Sequence, residues 1–151
     1  MITPFDIIFG ISAVAFNLLI ASFFIAWQHE KNRLVRLIGI GIISLGIPFL
    51  IVLYHALTAG QNQYVCIALA VVLAYILTEL FLDFIFIYDF RSRFITHFPY
   101  ILLEYGAFAG LIYTSFTISE RWGWAVSITF WIAMAALVYY FICENKRKKK
   151  R

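Results

Sequence analysis

The stretch Ala74-Tyr-Ile-Leu-Thr-Glu-Leu-Phe-Leu-Asp83 decides what kind of protein this chain is. It belongs to an apolar run from Tyr64 to Tyr88 that ends in the polar Asp89-Phe-Arg-Ser-Arg93. As a helix, that run is long enough to cross a hydrocarbon core of about 30 Å. Yet it carries two carboxylates, Glu79 and Asp83, four residues apart. At about 100° per residue both stand on one helix face, and Tyr75 lies one turn deeper on the same face. A charge at the centre of a membrane helix costs about 2.5–3.5 kcal/mol on insertion scales. The pair is therefore not there for stability.

Composition places the rest of the chain in the same setting. Of 151 residues, 64% are hydrophobic and only 13% charged, about half the charge fraction of a soluble domain. The 19% of aromatic residues suit a lipid-facing and interfacial protein. A net charge of +4 could point to nucleic acid, but its distribution argues against that partner. Lys146, Arg147, Lys148, Lys149, Lys150 and Arg151 form a terminal run, and most other cations lie in two short loops. The lipid bilayer is the partner this pattern predicts.

Five apolar spans follow from hydropathy, at about 5–27, 34–57, 64–88, 99–118 and 125–143, with a basic tail at 144–151. The fold class expected is an all-α integral membrane protein, a single five-transmembrane-helix bundle. Thr3-Pro4 opens the first span as cap and first-turn proline. No basic residue precedes that span, so it is expected to stay in the mature protein rather than act as a secretory signal. One of its faces reads Asp6, Gly10, Ala13, Asn17, Ala21, Phe24, Gln28, with Asn17 near the midplane. Small and polar residues at helical spacing predict a helix–helix contact with Asn17 bonding across it. A direct ligand contact by Asn17 is the alternative. In the second span Pro48 should kink the helix near Ser44. Pro99 should start the fourth span at a first-turn position. Ser119 to Trp124 should form an interfacial turn before the fifth.

An odd number of spans puts the termini on opposite sides. Lys31, Arg33, Arg36, Arg91, Arg93 and the basic tail then share one side, and Arg121 lies alone on the other. By the positive-inside rule the N-terminus is expected outside and the C-terminus in the cytoplasm of a multi-pass protein of the cell (plasma or inner) membrane. Cys66 and Cys143 then fall at opposite faces, which excludes a disulfide within one chain.

The candidate chemistry gathers where spans three and four meet, since a short connector makes them antiparallel neighbours. From a rise of about 1.5 Å per residue, Asp83 lies about 8 Å inside the cytoplasmic end and Glu79 about 13 Å, with Glu104 near the depth of Asp83. The predicted catalytic set is Glu79, Asp83 and Glu104; the predicted ligand contacts are Tyr75, Arg91, Arg93, His97, Tyr100 and Asn17. Three acids so close cannot all ionise in a poorly solvated site. One holds a proton, or a cation sits among them; Glu79, the deepest, is the expected proton donor or carrier. Gly106 and Gly110 form a small-xxx-small motif roughly opposite Glu104, suited to close packing on another helix.

The expected function is a cytoplasm-facing acidic pocket between spans three and four that binds an amphiphilic or lipid-linked small molecule and, in a stronger version, transforms it. The alternative is a proton- or cation-coupled transporter working as a homo-oligomer; the third is an accessory subunit of a larger membrane complex. A divalent cation is compatible with the acids, but no metal set is defined. Haem is disfavoured, because His29, His55 and His97 all lie at interfaces. No His-x-x-x-His or Cys-x-x-Cys spacing, phosphate-binding Gly-rich loop or serine nucleophile motif occurs.

Overall fold

A computed structural model describes residues 3–29, 31–85 and 94–148, with side chains for all of these except 83–85, 94–97 and 148. The described chain is all-helical: α1 (Pro4–Gln28), α2 (Asn32–Ser44), α3 (Gly46–Thr58), α4 (Gln63–Glu79), a π-wound extension (Leu80–Ile85), α5 (Phe94–Ile118) and α6 (Glu120–Lys148). With α2 and α3 counted as one span, five helices are long and apolar enough to cross a bilayer, which makes this a multi-pass membrane protein. Outward-facing apolar residues such as Tyr54 (72% exposed) and Trp131 (69%) fit a lipid surround.

The local signals explain most boundaries. Thr3 caps α1 in a reciprocal capping box: its hydroxyl accepts from the Asp6 amide, and Asp6 accepts from the Thr3 amide at 2.7 Å. Pro48 cannot donate to Ser44, and the helix breaks there: Ser44 ends α2, and Leu45 donates to both Gly41 and Ile42 in a tightened turn. At the end of α3, Gly60 adopts a left-handed φ of 65°. That conformation lets Gln61 reach back to the Ala56 carbonyl at 3.0 Å, as a helix-ending glycine does.

Four boundaries differ from the sequence expectation. The third span is not α-helical to Tyr88, because π winding takes over after Glu79. Hydropathy cannot register that switch, since Leu80 to Ile85 is apolar except for Asp83 whichever way the backbone bonds. The fourth helix begins at Phe94, so Pro99 sits inside it and not in its first turn; the helix runs on with one backbone bond missing. The last helix begins at Glu120 and not near Ala125, because Ser119 caps it: its hydroxyl accepts from the Trp122 amide at 3.3 Å. That helix also runs past Cys143 into the basic tail, where Lys146 and Arg147 face favourably the negative end of the helix dipole.

The first and last spans are neighbours, α1 lying chiefly along α6 and α4 along α5. The α1 face singled out by its small residues makes that contact. A Cβ on Gly10 would collide with the Trp122 indole. Lower on the face, the fully buried Asn17 donates from Nδ2 to the Val126 carbonyl and to Thr129 Oγ1, each at 3.0 Å. Phe9, Phe16, Phe49 and Phe108 fill the centre. Phe16 sits edge-on to Phe49, Phe108 and Tyr75, with centroids 5.7–6.3 Å apart. At one end of the bundle Phe5 stacks on His55 at 3.8 Å. At the other, Arg147 Nη2 donates to the Gln28 carbonyl at 3.0 Å, tying the end of α6 to the end of α1.

Candidate functional site

Glu79 is the last residue of α4, and its position follows from two features of the α4–α5 contact. Gly110 lets α5 approach Ala68 so closely that a Cβ there would sit 3.2 Å from the Ala68 carbonyl oxygen. Gly106 does the same against Val71 at 3.3 Å. With the helices this close, Tyr100 of α5 reaches the acid end of α4. Glu79 is nine-tenths buried, and one of its oxygens, Oε1, takes both tyrosines. Tyr75, one turn earlier on α4, donates at 2.9 Å, and Tyr100 donates from across the interface. The two phenol oxygens are themselves 3.1 Å apart. Tyr75 is held from behind by Phe16, whose ring meets it edge-on.

These three oxygens form a closed triangle. Each phenol has one hydrogen to give. With Glu79 ionised, two protons serve three oxygen–oxygen contacts. With Glu79 protonated, a third is present and every contact can be a hydrogen bond. Two donated hydrogen bonds also compensate a buried carboxylate for part of its lost hydration.

Tyr75, Glu79, Tyr100 and Glu104 all face one cavity of about 690 Å³, within the range of about 300–1,000 Å³ typical of small-molecule sites. Its walls come from α1, α2, α4, α5 and α6, and so from all five spans and not from spans three and four alone. Phe23, Phe24 and Trp27 of α1 line one side; Leu137, Tyr140 and Phe141 of α6 line another. The lining is mostly apolar and aromatic, with few polar groups, as in sites that bind and orient a small molecule. It lies at the end of the bundle that holds the α1–α2 turn and the basic tail.

Of the residues singled out in the sequence, Glu79, Glu104, Tyr75 and Tyr100 come together here. Asn17 does not line the cavity; its amide faces α6. Arg91 and Arg93 lie outside the described residues, as do the side chains of Asp83 and His97. Arg36 and Asn32 also line the cavity and were not singled out. Their signal was present: Asn32, Val35, Arg36, Gly39 and Ile42 repeat at helical spacing on one face of the second span. Among the described residues no three His, Cys, Asp or Glu side chains converge as a metal site. Cys66 and Cys143 are both free thiols.

The chain matches no family model, no curated protein and no solved structure.

Proposed function

We propose that this is a small multi-pass membrane protein that binds an amphiphilic or lipid-linked small molecule in the cavity above Glu79. One observation carries this: a partly open cavity of about 690 Å³ in which a nine-tenths-buried carboxylate faces aromatic walls. Glu79 and Glu104 orient the polar part of the ligand, and Phe23, Phe24 and Trp27 hold its apolar part. Orientation follows the charge bias. Lys31, Arg33 and Arg36 lie at the cavity end of the bundle, and Arg147 is tied to that end through Gln28. With those cations cytoplasmic, the cavity faces the cytoplasmic half of a cell membrane, and the N-terminus is outside.

A diazirine-bearing amphiphile, photolysed on the protein in detergent, should label residues of the cavity wall such as Phe24, Trp27 or Tyr140. Excess unlabelled amphiphile should abolish that labelling. Adducts confined to outward residues such as Tyr54 and Trp131 would refute the pocket.

A buried carboxylate that accepts from two phenols within a membrane span favours one second function, coupled transport. A carboxylate triangle that accommodates two or three protons is suited to exchanging a proton for a ligand. Flux in sealed vesicles that responds to an imposed pH gradient would separate this from an enzyme, which turns over equally well in detergent.

A further inference from the structure

We propose that the α1–α2 turn and the end of α6 together bind the headgroup of a polyanionic phospholipid, one that carries more than one phosphate. This surface is independent of what fills the cavity. The first ground is the convergence of charge. Residues 29–36 and 144–151 hold nine of the twelve Lys and Arg residues, against two acids, Glu30 and Glu144. The fold brings these segments to one place. α1 lies along α6, and Arg147 donates to the Gln28 carbonyl, 119 residues away in the chain. The Lys31 amide turns back to the Ala26 carbonyl at 3.2 Å, so α2 starts beside that tie. Lys31, Arg33, Arg36 and Lys146 are all exposed there. Each such cation near a membrane surface adds to the attraction for anionic lipid.

The second ground is the company these cations keep. Leu34 and Leu37, both exposed, are interleaved with Arg33 and Arg36 at the start of α2. Phe141 and Ile142, also exposed, precede Lys146 on α6 by about one turn. Apolar side chains with cations within a turn of them mark the boundary between hydrocarbon and headgroups. A phospholipid meets both at once, its chains on the apolar residues and its phosphates on the cations. A soluble polyanion such as RNA engages only the charges.

The third ground is the polarity of the helix ends. α1 and α6 end here and present carbonyls, whereas α2 begins here and presents amides. No side chain caps α2 at Lys31, which leaves its first amides to an outside acceptor. The headgroup therefore sits over the start of α2, with Lys31 and Arg33 around it and Lys146 reaching it from α6. A guanidinium grips one phosphate in a two-pronged contact. Joining that contact to a lysine of another helix takes a second phosphate, hence a polyanionic head.

The full chain in nonionic detergent is titrated by microscale thermophoresis with dioctanoyl phosphatidylinositol bisphosphate, dioctanoyl phosphatidylserine and a short single-stranded RNA. The bisphosphate lipid should bind more tightly than the serine lipid by about tenfold or more, and should weaken as salt is raised. Lys31→Gln, Arg33→Gln and Lys146→Gln should each weaken it by about fivefold. The serine lipid should lose less in every case. Arg121→Gln, at the far end of the bundle, should change nothing. Lys146→Arg keeps the charge and should bind as the unaltered chain does, which separates loss of charge from misfolding. Equal affinity for the two lipids, losses confined to one segment, or equal weakening by Arg121→Gln overturns the shared headgroup site. RNA that binds as tightly as the bisphosphate lipid and displaces it overturns the lipid assignment. Binding of none of the three overturns the surface altogether, and photolabelling of the cavity wall tests the pocket separately.

Discussion

Replacing Asn17 tests how the first and last spans are held together. Its amide orientation is set by chemistry: the Val126 carbonyl can only accept, so the nitrogen must face it. Thr129 Oγ1 spends its own hydrogen on the Val126 or Ala125 carbonyl, at 2.9 and 3.1 Å, and therefore receives from Asn17 as an acceptor. Interhelical side-chain bonds in membranes contribute about 0.6 kcal/mol on average and about 1.7 at most, so the two together contribute about 1–3 kcal/mol. Asn17→Ala loses both and leaves a void where the side chain had no exposure, adding about 1 kcal/mol. One term acts in the other direction. Asn17 Oδ1 is buried without a partner, a burden of about 1–3 kcal/mol that either substitution removes.

Asn17→Leu removes the same bonds and the same orphan oxygen but refills the space. The expectation is thus an order rather than a single value. Ala should destabilise by about 1 kcal/mol, and Leu, which refills the void, should be close to neutral. Unfolding equilibria in mixed micelles, followed by tryptophan fluorescence against denaturing detergent, measure both. A double-mutant cycle of Asn17→Ala with Thr129→Val isolates the side-chain bond and should return a coupling of about 0.6–1.7 kcal/mol. Coupling inside the additive scatter of about 0.3–0.5 kcal/mol, or Leu more destabilising than Ala, would refute this account.

Gly110→Val should be destabilising by about 1–3 kcal/mol, because the added carbons meet the Ala68 backbone, which cannot yield unless α4 and α5 separate; an unchanged thermal midpoint in detergent would show that the helices are not this close. A reporter fused after Arg151 should read cytoplasmic and one inserted near Asn62 external. The reverse pattern would invert the orientation, and matching signals would remove one span.

What was legible in the sequence divides along a physical line. Signals confined to one helix were readable: the Thr3-Pro4 start, the break ahead of Pro48, and the small-residue stripe around Asn17. Each depends on bonding within the chain or on spacing along one face. Signals that depend on which helix comes next were not. The stripe announced a partner for Asn17 but could not say that it was α6, the span farthest away in sequence. Arg36 looked like part of a topology-setting loop, because the inward turn of the second span is decided by packing against α1 and α4. The π winding after Glu79 was invisible because hydropathy is blind to whether a carbonyl bonds four or five residues ahead.

The same division explains why the acids alone said so little. Glu79 and Tyr75 could be placed on one face from their spacing, but a carboxylate on an apolar face is compatible with an ion pair, a metal ligand or a proton site. What narrows the options is Tyr100, brought across by the closeness that Gly106 and Gly110 allow. Two small residues on one helix thus bring a phenol to an acid on another. If that is right, the properties of Glu79 are controlled at the α4–α5 contact several residues deeper in the bundle. Widening that contact at Gly110 should then alter the acid as effectively as removing the Tyr100 hydroxyl: Gly110→Ala and Tyr100→Phe should shift the pH dependence of amphiphile photolabelling of the cavity wall in the same direction. Opposite shifts, or a shift in Tyr100→Phe alone, would show that Glu79 is set by its immediate partners and not by the helix spacing.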